Sequence, residues 1–176
     1  MTWNNTLLNS LVELAPKGDV CEVGVYKGLT FKKLCALAPT RIVRAFDSFY
    51  GMDEPSIDDG GHYPYGKFGI GGVRVFHKLM EGYTNYRVHP GYIPNCFVEG
   101  LEFALAFLDV DHYEATRLSL HYLWPKIVKG GFLALDDYIP SQSDILATKA
   151  IVEFLSVASG YEIFEQPVNQ LILRKL

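Results

Sequence analysis

FLDVDHYEATRLSLHYLWPKIVKGGFLALDDY, residues 107–138, sets two apolar segments on either side of one helix-length passage, and each segment ends in aspartate. The first stops at Asp109, the second at Asp136 and Asp137. Apolar segments joined in this way read as neighbouring parallel strands, so their carboxyl ends place three acids along one rim of a sheet. In open α/β sheets, ligands bind on that rim. Carboxylates grouped there have the chemistry to hold a divalent cation such as magnesium.

Upstream, GDVCEVGV from Gly18 predicts a buried strand, GLTFKKLCALAP from Gly28 a helix, and RIVRAFDSF a second strand ending at Asp47. Strand, glycine turn, helix and strand make a βαβ unit. Trp3, Leu7, Leu8, Leu11, Val12 and Ala15 recur at helical spacing, giving an amphipathic helix that stops before Pro16. Its stripe is expected to cover a sheet face or a partner subunit, which makes a homodimer an expectation. Residues 50–72 lack either periodicity but carry four aromatics, Tyr50, Tyr63, Tyr65 and Phe68, and read as a packed lid or acceptor loop. Residues 73–83 form a helix and 86–89 a short strand. Downstream, 141–159 reads as a helix capped by Ser141 or Ser143 and stopped by Gly160. Two final strands, separated only by 167–169, must form an antiparallel hairpin.

The 176 residues fit a single domain, 1–176. Sixteen Lys and Arg against twenty Asp and Glu, a formal charge of −4, with no dense basic run, disfavour nucleic acid as a partner. Cys21, Cys35 and Cys96 are an odd number at irregular spacing, so neither a disulfide framework nor a zinc cluster is indicated. No signal-like start and no membrane-length apolar run are present. The expected location is cytoplasmic, in a reducing compartment.

The turn Glu22-Val23-Gly24-Val25-Tyr26-Lys27-Gly28 excludes a dinucleotide fingerprint, because Tyr26 and Leu29 stand where that fingerprint needs glycines. A Walker-type phosphate loop is absent as well. A glycine turn led by Glu22 suits a ligand with an ammonium group and a ribose, as in S-adenosylmethionine. Asp47 is then placed to accept from two ribose hydroxyls, or it sits on a solvated loop. Among the acids, the spacing of Asp111 to Glu114 resembles a capping box, which assigns Asp111 mainly to the next helix. That leaves Asp109, Asp136 and Asp137 as metal ligands. His112 is a candidate general base, and His62 and Tyr63 in the loop are candidate substrate contacts.

EVGVYKG, AFDSFYGMDEP, LDVDHYEAT and WPKIVKGGFLALDDY resemble, in order and spacing, the macrocin O-methyltransferase family of class I S-adenosylmethionine-dependent enzymes. The resemblance implies a Rossmann-like, seven-stranded, mostly parallel sheet of order 3-2-1-4-5-7-6 with helices on both faces. It implies a magnesium site at Asp109, Asp136 and Asp137, and O-methylation of a sugar hydroxyl with Asp109 as the proton acceptor. Carried over likewise, Glu22, Gly24, Tyr26, Gly28, Thr30 and Asp109 line the methionine side of the cosubstrate, Asp47 and Ser48 the ribose, and Gly91 the adenine side. Asp137 also faces the substrate. Asp-Val-Asp-His replaces the family's usual Asp-Gly-Asp-Leu, and one helix precedes the first strand, so the acceptor itself stays open. The alternatives are a catechol-type O-methyltransferase and a non-catalytic cosubstrate-binding module; a nicotinamide-dependent oxidoreductase is opposed by Tyr26.

Overall fold

The computed structural model describes residues 3–176. Its centre is a seven-stranded sheet of order β3-β2-β1-β4-β5-β7-β6. The strands are β1 (Asp19–Val23), β2 (Val43–Asp47), β3 (Tyr86–Pro90), β4 (Phe103–Leu108), β5 (Ile127–Leu135), β6 (Tyr161–Glu165) and β7 (Leu171–Lys175). Pairings from β3 across to β5 are parallel, and β7 lies antiparallel to both β5 and β6. The expected order and the terminal hairpin are both present.

Helices α1 (Asn5–Leu14), α2 (Leu29–Leu37), α3 (Val73–Leu79), α4 (Tyr113–Lys126) and α5 (Leu146–Val157) cover the two faces. Alternation along a strand decides which face each residue serves. Val20 joins an apolar cluster with residues of α1, α2 and α3, whereas Cys21 joins one with α4 and α5. β4 is buried at all six positions, as a strand covered on both faces requires.

α1 starts where the Asn4 side chain accepts from the Thr6 N–H at 2.8 Å. Its stripe, Leu7, Leu8, Leu11 and Val12, is buried against the chain's own core, and Trp3 meets Phe107 edge-on at 5.0 Å. The stripe covers a sheet face, so it is not an open surface for a partner subunit. α5 departs from expectation. It begins at Leu146, no side chain caps it, and Ser141 lies in a short 3-10 turn, Pro140–Gln142. The Ala147 N–H instead donates to the Asp111 carbonyl at 2.9 Å.

Residues 50–72 fold back on themselves. Met52 is bonded across the loop to two residues, Met52 N–H donating to Lys67 O and Gly66 N–H donating to Met52 O, both at 2.9 Å. A 3-10 turn at Ile57–Asp59 buries Asp59. At the far side of the sheet, β6 is an edge strand exposed over residues 162–165. Among the described residues, no helix is long and apolar enough to cross a membrane.

Candidate active site

β1 delivers Glu22 to the carboxyl rim, and the turn after it is tight for a steric reason. A Cβ on Gly24 would lie 1.8 Å from the Asp109 carbonyl oxygen, and φ there is +83°; only glycine lets the end of β4 approach so closely. The turn is held from β2. Asp47 Oδ2 accepts from the N–H groups of Val25 (2.7 Å) and Tyr26 (2.8 Å), and Oδ1 accepts from Phe49 N–H (2.6 Å). Asp47 therefore clamps the glycine turn, and it also lines the cavity beside it. Gly28 also differs from expectation: it begins α2 in the left-handed region and faces Phe76 and Met80, away from the cavity.

That cavity, about 490 Å³, opens at the strand ends, and Glu22, Gly24, Tyr26, Thr30, Asp47, Ser48, Gly91, Asp109, His112 and Asp137 contribute to its wall. Ser48 does so with its hydroxyl already donated to Gly51 O at 2.7 Å. Glu22 is 3 % exposed, and its Oε2 has no hydrogen-bond partner among the described residues. Burial, with the nearby Asp109 carboxylate second, pushes its carboxyl well above the ordinary range. A buried carboxylate oxygen without a donor is costly.

At the other end of the cavity, one carboxylate oxygen each from Asp109, Asp111 and Asp137 lie within 4.8 Å of one another. This is one exchange from the expected set. Asp136 lies beside the group but turns to accept from Gln170 Nε2 at 3.2 Å. Asp111, expected to cap α4, is free of that duty, because Asp59 Oδ1 accepts from the Tyr113 N–H at 2.6 Å. Positive φ values at Asp111 (58°) and Asp137 (57°) bend both strand-end connections. Desolvation raises all four carboxyls, and mutual repulsion adds to it at Asp109, Asp136 and Asp137. Asp137, next to Asp111, reaches about 7. Three oxygens across such a span fit one oxygen-ligated divalent cation, whose opposite ligands stand about 4–5 Å apart.

His112 is 5 % exposed, and its Nε2 lies 3.0 Å from the Tyr63 carbonyl oxygen. A carbonyl only accepts, so Nε2 is the donor and the lone pair of the neutral ring sits on Nδ1. Tyr63 borders a small cleft with Asp111 and Asp137; burial first, then Asp111, raises its phenol. His62 is exposed and lines neither space. Phe68, edge-on to Tyr26 at 5.5 Å, also walls the cavity. The sequence signals it only through the aromatic density of 50–72.

Residues 74–157, the stretch carrying the acidic strand ends, match the family model of macrocin-O-methyltransferase (TylF). The resemblance to that family holds. Among solved structures, CalS11, a calicheamicin methyltransferase, is 22% identical with a TM-score of 0.77, covering 97% of this chain and 77% of its own. NovP, an O-methyltransferase, is also 22% identical with a TM-score of 0.67, covering 97% and 78%. TomG from Streptomyces achromogenes, an O-methyltransferase involved in tomaymycin synthesis and solved with S-adenosylmethionine, is 14% identical with a TM-score of 0.68, covering 98% and 78%. At these identities the structures establish the fold. The family match supports an S-adenosylmethionine-dependent O-methyltransferase. No curated protein matches the sequence.

Proposed function

We propose that the chain transfers a methyl group from S-adenosylmethionine to a hydroxyl of a sugar or glycosylated small molecule. One observation carries the proposal: a single cavity is lined both by Glu22, a buried acid with an unpartnered Oε2 among the described residues, and by Asp109, Asp111 and Asp137. Glu22 takes the cosubstrate's ammonium, and the turn clamped by Asp47 shapes the wall around its methionine part. Thr30, Ser48 and Gly91 belong to the same wall. The acceptor enters from the acidic end, beside Tyr63 and under residues 50–72, which we read as its lid.

Transfer is an in-line displacement. A lone pair of the acceptor oxygen forms the new C–O bond as the C–S bond breaks, the sulfonium leaves as a neutral thioether, and the hydroxyl proton passes to a base. Asp109, at the junction of the two ends, is the proposed acceptor of that proton; His112, through Nδ1, is the second candidate. Asp109, Asp111 and Asp137 would hold magnesium, which when bound lowers the pKa of a hydroxyl and orients its oxygen. The protein's own contribution is positioning, worth about 7–11 kcal/mol in favourable intramolecular models. Calorimetric titration with S-adenosylhomocysteine is expected to give micromolar binding; absence of binding overturns the proposal. Turnover of a sugar panel that survives a chelator would remove the magnesium from it.

A further inference from the structure

The first N–H groups of an α-helix need acceptors from outside the helix. α4 begins immediately after Asp111 and His112, and His112, at the N-cap position, makes no side-chain cap. The acceptor arrives from 54 residues away: Asp59 Oδ1 takes the Tyr113 N–H at 2.6 Å. Its Oδ2 takes the Ser56 N–H at 2.6 Å and the Ser56 hydroxyl at 2.7 Å. Asp59 is 1% exposed, so this carboxylate is locked in place with its charge at the positive end of the helix dipole.

Neighbouring ties land on the same few residues. His112 Nε2 donates to Tyr63 O, and Lys149 Nζ pairs with Asp58 at 2.5 Å. Lys149 belongs to the first turn of α5, where the Ala147 N–H holds the Asp111 carbonyl and Thr148 Oγ1 donates to the Asp137 carbonyl at 2.7 Å. The 50–72 segment is thus fastened to the backbone that carries Asp111, His112 and Asp137. Its other side, through Met52 and Phe68, walls the cavity. The connection it holds is tight, with Asp111 at φ 58° and the His112 N–H 2.6 Å from Val110 O.

We infer that Asp59 is a positioning residue for the acidic end of the cavity: by holding the Tyr113 N–H it fixes the turn that aims Asp111 and His112. What that end is for rests on the function proposed above; the coupling itself does not. The test reads the His112 imidazole by nitrogen-15 NMR at one fixed pH, assigned with His112→Gln, without cosubstrate, metal or acceptor. In the unmodified chain the Nε2 resonance sits at the N–H position. Asp59→Ala is expected to move it toward the average of the two tautomers, because the turn relaxes and the bond to Tyr63 O is lost. Asp59→Asn, which keeps an acceptor oxygen for Tyr113, restores the original position. Lys149→Met, which cuts only the adjacent ion pair, leaves it in place. If Asp59→Ala does not fold, Asp59→Ser, whose hydroxyl is too short to reach Tyr113, is read in the same way. An Nε2 signal unmoved in the folded Ala or Ser variant, or moved equally by Lys149→Met, overturns the inference. Failure of the unmodified chain to bind S-adenosylhomocysteine would instead overturn the proposed function and leave the His112 result standing.

Discussion

The two ends of the cavity are built on opposite electrostatic plans. In the glycine turn, Asp47 takes three backbone N–H groups, so the loop is shaped before any ligand arrives. At the acidic end, Asp109, Asp111 and Asp137 face one another, and protons or a cation must relieve them. Glu22, one strand over, shares that condition at the edge of the preformed turn. The difference teaches where affinity and where conditionality should lie: the turn sets cosubstrate geometry, whereas the acids respond to pH and to cations.

Asp47→Ala attacks the preformed end and carries the largest expected effect. Three donors lose their acceptor, costing about 3 kcal/mol of stability and abolishing S-adenosylhomocysteine binding; denaturant midpoints and calorimetry measure both. Survival of binding would show that the turn keeps its shape unaided. Glu22→Gln separates charge from shape at the boundary between the ends. Affinity for S-adenosylhomocysteine should fall at least tenfold, about 1.4 kcal/mol, while stability does not fall, since the carboxyl that burial disfavours is gone.

The smallest effect is a pH trend at the acidic end. Asp137 titrates near 7 when folded, against an ordinary 3.8, so between those values the folded state binds more protons than the unfolded one. Stability then falls as pH rises through that window. Melting temperature in the absence of divalent ions should decline from about pH 4 to about pH 7, and Asp137→Asn should flatten the decline. A flat profile in the unmodified chain would erase the contrast between the two ends.

The architecture was legible because it rests on local signals. Apolar runs ending in Asp47, Asp109 and Asp136, a glycine turn and a short hairpin link each act within a few residues. What was not legible depends on atoms brought together from afar. Asp47 was recognisable as a strand-end acid, yet only the folded turn shows that its oxygens are taken by Val25, Tyr26 and Phe49. Asp111 stands in the acidic group in place of Asp136 for the same reason. A cap for α4 came from Asp59, and Gln170 of the terminal hairpin drew Asp136 aside. Neither partner has a signature in its own stretch of sequence.

The place of β7 between β5 and β6 bears on how the sheet is assembled during synthesis. β6 leaves the ribosome before β7, yet β7 is its neighbour in the sheet, so β6 has no strand to join when it first appears. Meanwhile it presents Ile163 and Phe164, with Glu162 and Glu165 on either side. Charges at such an edge discourage pairing with other chains, and here they guard a strand whose proper partner is made after it.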